Sequence, residues 1–160
     1  MAVLVIGQLA LGLRIVTMTP GLSGLWLYGL HKTMGTLVLV LIVLRLQWHV
    51  VSPVPLPLGP PGLPRLAARG AHRLFYGLLI ALPLTGWAGS SATGLDIVIA
   101  ERWILPPIIS PSEAAEAFWF GMHGALAWAL VALIALHVAG ALLRARAGDG
   151  TLRRMLRGRV

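Results

Sequence analysis

Residues 116–143 read EAFWFGMHGALAWALVALIALHVAGALL and contain one charged side chain, Glu116, at the first position. About 20 consecutive apolar residues are enough for an α-helix to cross the hydrocarbon core of a bilayer. This stretch therefore predicts a membrane-spanning helix. His123 and His137 lie within it, where an ionisable side chain is costly unless it faces the interior of a helical bundle.

Three further apolar stretches precede this one. They predict spans at about residues 2–18, 25–50 and 71–88. The first stretch is shorter and is apolar except for Gln8 and Arg14. The sequence thus predicts an all-α membrane protein, a four-helix transmembrane bundle with a shortened first helix, in which residues 1–160 form a single domain.

The composition agrees with a lipid environment. Of the 160 residues, 58% are hydrophobic and 11% are charged, and the mean hydropathy is +0.85, which is well outside the range of a soluble domain. The proline-rich connection around Pro60 and Pro61 cannot be helical and is predicted to lie outside the hydrocarbon. The connection that contains Trp103 is predicted to lie along the interface, with this ring at headgroup depth.

The absence of cysteine excludes several kinds of metal site. The 160 residues contain no cysteine, so iron–sulfur clusters, thiolate zinc sites and covalently attached c-type haem are ruled out. The formal charge of +8 is also typical of nucleic-acid binding. The basic residues, however, cluster beside apolar stretches rather than on a polar surface, which indicates a lipid bilayer and no nucleic acid as the partner.

The distribution of lysine and arginine predicts the orientation of the chain, because the side richer in them stays cytoplasmic. One side has only Arg14, Lys32 and Arg102. The other side, which includes the C-terminus, has ten arginines: Arg45, Arg65, Arg69, Arg73, Arg144, Arg146, Arg153, Arg154, Arg157 and Arg159. We therefore expect an inner (cytoplasmic) membrane as the location, both termini in the cytoplasm, and His31 and His123 towards the outside.

Two histidines are predicted to meet near the outer side. His31 lies about six residues into the second span and His123 about seven residues into the fourth, so their depths are similar at about 1.5 Å per residue. Two imidazoles at one depth can ligate one haem iron from opposite sides. Hydrogen bonds between helices would also account for histidines in these spans, but they do not require matched depths.

His137 is predicted to lie at the depth of a second iron. It shares a helix face with His123 but lies about 21 Å further along the axis, so its partner must come from the inner end of another span. His72, at the start of the third span, is open to three interpretations: an interfacial structural role, a contact to a haem propionate or quinone, or substitute ligation. His49 is interpreted as a solvated histidine at the inner boundary.

Small residues beside the histidines would make room for a flat macrocycle. The glycines in question are Gly35, Gly121, Gly124 and Gly140. Ordinary small-residue packing between membrane helices accounts for the same glycines, so by themselves they do not decide for haem.

Several stretches resemble the bacterial cytochrome b561 family, which is related to the cytochrome b subunits of nickel hydrogenases and formate dehydrogenases. They are LHKTMG at 30–35, HRLFY at 72–76, ALPLTGW at 81–87, MHG at 122–124, ALHVA at 135–139 and DGTLRRM at 149–155. The resemblance covers nearly the whole chain. It implies a small membrane protein with two haem b groups.

The resemblance also implies a ligand set. A histidine of span two and the first histidine of span four hold the outer haem, which carries over to His31 and His123. The second histidine of span four, here His137, pairs in the family with a histidine in a His-Trp pair at the start of span one, a few residues before the position of Met1. Either the sequence starts after this ligand or this branch has lost the inner haem, and the retained His137 favours the first explanation.

The resemblance implies single-electron transfer across the membrane, with one or two haem b groups. Members typically link the quinone pool, ubiquinone or menaquinone, to a redox partner protein, and some oxidise superoxide. Two alternatives remain at this point. The chain is also consistent with a membrane-anchor subunit of a dehydrogenase or hydrogenase, or with a non-haem transport or structural bundle.

Overall fold

A computed structural model describes residues 1–19, 21–52 and 62–147. The proline-rich connection, the closing DGTLRRM stretch and the last four of the ten inner arginines lie outside the described residues. The helices are α1 (Ala2–Thr17), α2 (Leu25–Val51), α3 (Leu63–Ala92) and α4 (Glu113–Arg146), and a 3-10 turn at Leu22–Gly24 precedes α2.

Three of these helices are long and apolar enough to cross a membrane, namely α2, α3 from Arg65 onwards, and α4. α1 has 16 residues, which is less than the about 20 that a perpendicular span requires. The helical membrane bundle with a shortened first helix is therefore confirmed. α3 is longer than the predicted stretch 71–88 because its helix continues through the basic residues Arg65 and Arg69.

The ends of α4 follow from local chemistry. The Ser112 hydroxyl accepts a hydrogen bond from the backbone N–H of Ala115, which satisfies one of the free donors at the helix start. Glu113 lies in the first turn and Arg146 in the last, where the helix dipole favours negative and positive charge respectively.

A short hairpin joins α3 to α4, which the sequence analysis did not anticipate. Strands β1 (Ile97–Ile99) and β2 (Trp103–Leu105) pair antiparallel, with Val98 opposite Ile104. Three residues, 100–102, connect the strands. Ala100 and Glu101 have φ of 49° and 56°, in the left-handed region that tight hairpin turns use, and the N–H of Arg102 donates to the Ile99 carbonyl at 3.1 Å. The backbone N–H of Ala100 donates to the Thr33 hydroxyl at 2.9 Å, so the hairpin is tied to α2.

The helices pack in chain order, with α1 against α2, α2 against α3, and α3 against α4. The core lies between α3 and α4 and consists of Leu78, Leu82, Leu130 and Leu133. Many large apolar side chains elsewhere are exposed, such as Leu136 at 71%. Such exposure is expected for helices that have lipid tails as their solvent.

Candidate haem-binding site

The histidines form two pairs at two levels of the bundle. We call His31 and His123 the outer pair, because it lies at the end of the bundle that carries the hairpin, and His72 and His137 the inner pair. The rings of the outer pair, on α2 and α4, have centroids 6.1 Å apart and planes at 81°. Both side chains are half-buried. The structure thus brings together the two histidines whose depths matched in the sequence.

The orientation of His123 is set by α3. Its Nδ1 lies 2.9 Å from the carbonyl oxygen of Leu82 and 3.3 Å from the hydroxyl oxygen of Thr85. Because a carbonyl only accepts, Nδ1 carries the proton and donates it. The second ring nitrogen, Nε2, is then the one with a free lone pair.

Two glycines let neighbouring helices approach the rings of the outer pair. A Cβ added at Gly86 of α3 would lie 3.2 Å from both Cε1 and Nδ1 of His123. A Cβ added at Gly12 of α1 would lie 3.2 Å from Cε1 of His31. Each ring therefore packs against a helix surface that only glycine provides at this distance.

The glycines expected from the sequence have other surroundings. An added Cβ would meet no atom within 4 Å at Gly121, Gly124 or Gly140, and at Gly35 it would lie 3.3 Å from Nε2 of Gln8. The amide of Gln8 thus takes up the space beside Gly35, whereas the space beside the other three glycines is open. Their role in making room for a macrocycle stays a prediction.

The rings of the inner pair, on α3 and α4, have centroids 5.7 Å apart and planes at 54°. Phe75 packs edge-on against His137 with centroids 5.2 Å apart. His72 is exposed and His137 half-buried. The structure places His72 beside His137, and the three interpretations of its role stay predictions.

The family model of prokaryotic cytochrome b561 matches residues 1–158. The chain belongs to this family. It is also 37% identical over 161 residues to cytochrome b561 homolog 2 of Escherichia coli (strain K12), an alignment that covers 97% of this chain and 84% of that protein. The resemblance in the sequence is thereby confirmed, and membership implies b-type haem binding and a role as a membrane electron carrier.

The outer pair fits the haem of a cytochrome b561. A metal lies about 2 Å from an imidazole nitrogen and about 3 Å from the ring centre, so two imidazoles that bound one metal from opposite sides would have centroids about 6 Å apart. The outer pair has 6.1 Å. In addition, a histidine that binds metal usually donates its other N–H to a carbonyl or carboxylate, as His123 does to Leu82. Within the described residues no group of three or more His, Cys, Asp or Glu could hold a bare metal ion.

His49 belongs to neither pair of this cytochrome. Its ring lies 6.0 Å from that of Tyr76, at 90°, and the hydroxyl of Tyr76 accepts a hydrogen bond from Nε of Arg45 at 3.1 Å. His49 is therefore a useful control histidine, because it lies in the same bundle but faces no second imidazole.

Sequence reasoning missed three residues at the outer site: Gly12, Gly86 and Gln8. The two glycines carry no local signal, because their role depends on which helix lies opposite. Gln8 did carry one, since a lone amide in an apolar span is costly without a partner. Its Nε2 donates to the carbonyl of His31 at 2.7 Å.

Proposed function

We propose that this protein transfers single electrons across the bacterial inner membrane through haem b held by His31 and His123. The observation that supports the proposal is the approach of these two imidazoles to 6.1 Å between ring centroids. They come from α2 and α4, which are not consecutive in the chain. The main helix contacts of the bundle are between consecutive helices and do not include this pair. Membership of the cytochrome b561 family supplies the type of haem.

The protein's own residues restrict the chemistry of the site. If His31 and His123 both bind the iron, the haem would have no open position for oxygen or peroxide, which favours electron transfer over oxygenation. When bound, haem supplies the one-electron redox change. The Leu82 carbonyl holds His123 in the tautomer with Nε2 free, and Gly86 and Gly12 hold the two rings against α3 and α1.

A second haem at the inner level would extend the path of the electron. We propose His137 as a ligand there, with His72 as the neighbouring imidazole. His137 lies about 21 Å along α4 from His123, so two haems would bridge most of a hydrocarbon core of about 30 Å. The proposal thus includes one or two haems.

The electron's partners follow from the family and from charge. We propose that the protein exchanges electrons with the quinone pool, ubiquinone or menaquinone, and with a redox partner protein. Superoxide at the outer face is a further candidate substrate. Arg45, Arg65, Arg69 and Arg73 lie at the end of the bundle that holds the inner pair. Under the positive-inside rule this end, and with it both termini, faces the cytoplasm.

The ligand assignment is tested by haem content. We expect His31→Ala and His123→Ala each to remove the outer haem, because an iron held by one imidazole alone loses half of its protein ligands. The measurement is the haem-to-protein ratio of the purified protein, from the pyridine haemochrome, together with its Soret spectrum. His49→Ala is the matched control and should keep the full ratio. A His31→Ala protein with unchanged haem content and spectrum would contradict the assignment.

A further inference from the structure

Two buried polar atoms without a hydrogen-bond partner lie on residues that contact each other. They are Oε1 of Gln8 on α1 and Nδ1 of His31 on α2. The third such atom in the described part of the chain is Nε of Arg65, at the other end of the bundle. Buried polar atoms nearly always have a partner, so an exception calls for an explanation.

The contact between the two residues is short. Nε2 of Gln8 donates to the backbone carbonyl of His31 at 2.7 Å. Gly12, one turn further along the same face of α1, would place a Cβ 3.2 Å from Cε1 and 3.8 Å from Nδ1 of His31. The Cε1–Nδ1 edge of His31 therefore faces α1 at Gly12, one turn from Gln8.

The two ligands of the proposed outer haem differ in what holds their Nδ1 atoms. Nδ1 of His123 lies 2.9 Å from the carbonyl oxygen of Leu82. Nδ1 of His31 has no hydrogen-bond partner in the described residues. A metal-bound histidine usually donates this N–H to an oxygen, which fixes its tautomer and raises its basicity as a ligand. Oε1 of Gln8 is an oxygen of the right kind, and it too is unpaired.

We propose that Gln8 is a positioning residue for His31. Its amide donates to the His31 carbonyl through Nε2 and accepts the Nδ1–H of His31 through Oε1, after a small side-chain rotation or through one bridging water. A primary amide carries both a donor and an acceptor, so one side chain serves both atoms. The inference rests on the proposed function, in which Nε2 of His31 binds the haem iron.

The test compares Gln8→Glu and Gln8→Leu by the midpoint potential and EPR g-values of the outer haem. The carboxylate of Gln8→Glu, once ionised, is nearly isosteric and a stronger acceptor, although it gives up the donor to the His31 carbonyl. At a pH that ionises it, His31 becomes the more basic ligand and the potential falls. Leucine removes the acceptor, so the potential rises and haem affinity drops by about tenfold or more. Gln47→Leu, the same change at an exposed position of α2, should alter neither property.

If Gln8 acts through a hydrogen bond to His31, the midpoint potentials of the two variants shift in opposite directions. If Gln8 only packs against His31, both potentials shift in the same direction. Shifts in one direction, or no shift in either variant, overturn the inference. If Gln8→Leu does not fold, Gln8→Glu alone decides through the pH dependence of its potential, because a potential that does not fall as the carboxyl ionises overturns the inference. Loss of the outer haem in His31→Ala, measured in parallel, shows that the proposed function stands even where the role of Gln8 fails.

Discussion

The outer and inner pairs of histidines have similar separations, 6.1 and 5.7 Å between ring centroids, but different surroundings. In the outer pair each ring packs on a glycine of a flanking helix, and His123 donates to a carbonyl. In the inner pair Phe75 packs on His137, and no hydrogen bond to either imidazole occurs within the described residues. Proximity alone therefore does not define a ligand pair, because the surrounding groups must also orient the imidazoles.

The largest effects are expected from removing the inner histidines. We expect His137→Ala to abolish a haem at the inner level while the outer haem remains. His72→Ala should cost less, because His72 is exposed and no described hydrogen bond orients its ring. Haem stoichiometry and low-temperature α-band spectra of the two variants measure this asymmetry. If the two variants lose equal amounts of haem, the two histidines of the inner pair contribute equally. The proposed difference between the inner and outer pairs would then be wrong.

A substitution at Gly86 tests whether close packing on glycine matters. Gly86→Leu would force atoms into the space of His123, since the first added carbon already lies 3.2 Å from its ring. Overpacking of this kind costs about 1–3 kcal/mol, and we expect haem binding at the outer site to weaken by about tenfold. Titration of the apoprotein with haemin measures the affinity.

The matched control for this change is Gly77→Leu on the same helix, where an added Cβ meets no atom within 4 Å. It should keep the affinity of the unsubstituted protein. If both variants bind haem alike, the packing of α3 against His123 is not what distinguishes the outer pair.

The smallest effect is expected at Thr85. Its hydroxyl lies 3.3 Å from Nδ1 of His123 and donates to the Leu82 carbonyl at 2.9 Å. Thr85→Val removes the hydroxyl and leaves this carbonyl as the acceptor for His123. We therefore expect full haem content and a small shift in midpoint potential, measured by redox titration. Thr36→Val on α2, which removes a hydroxyl bonded to the Lys32 carbonyl, should show no shift, and loss of haem in Thr85→Val would refute the secondary role of this hydroxyl.

The sequence by itself determined the helical membrane bundle and the family. The spans could be found from the sequence because polar backbone and side-chain groups are costly in lipid. This cost applies to each segment separately, so each apolar stretch, including the short first one, can be recognised by itself. The similar depths of His31 and His123 could be counted from the ends of their spans. These properties depend on rise per residue and local composition, so no knowledge of neighbouring helices was required.

Only the tertiary structure decided which groups surround those histidines. Gly12 and Gly86 gain their importance from the helices they face. The sequence also did not show that His72 lies beside His137. That the amide of Gln8 lies beside Gly35 also depends on how α1 packs against α2, which the sequence of α2 does not show. The physical reason is that contacts between helices depend on how each helix is rotated about its axis and which helix lies opposite, and neither property is encoded within one span.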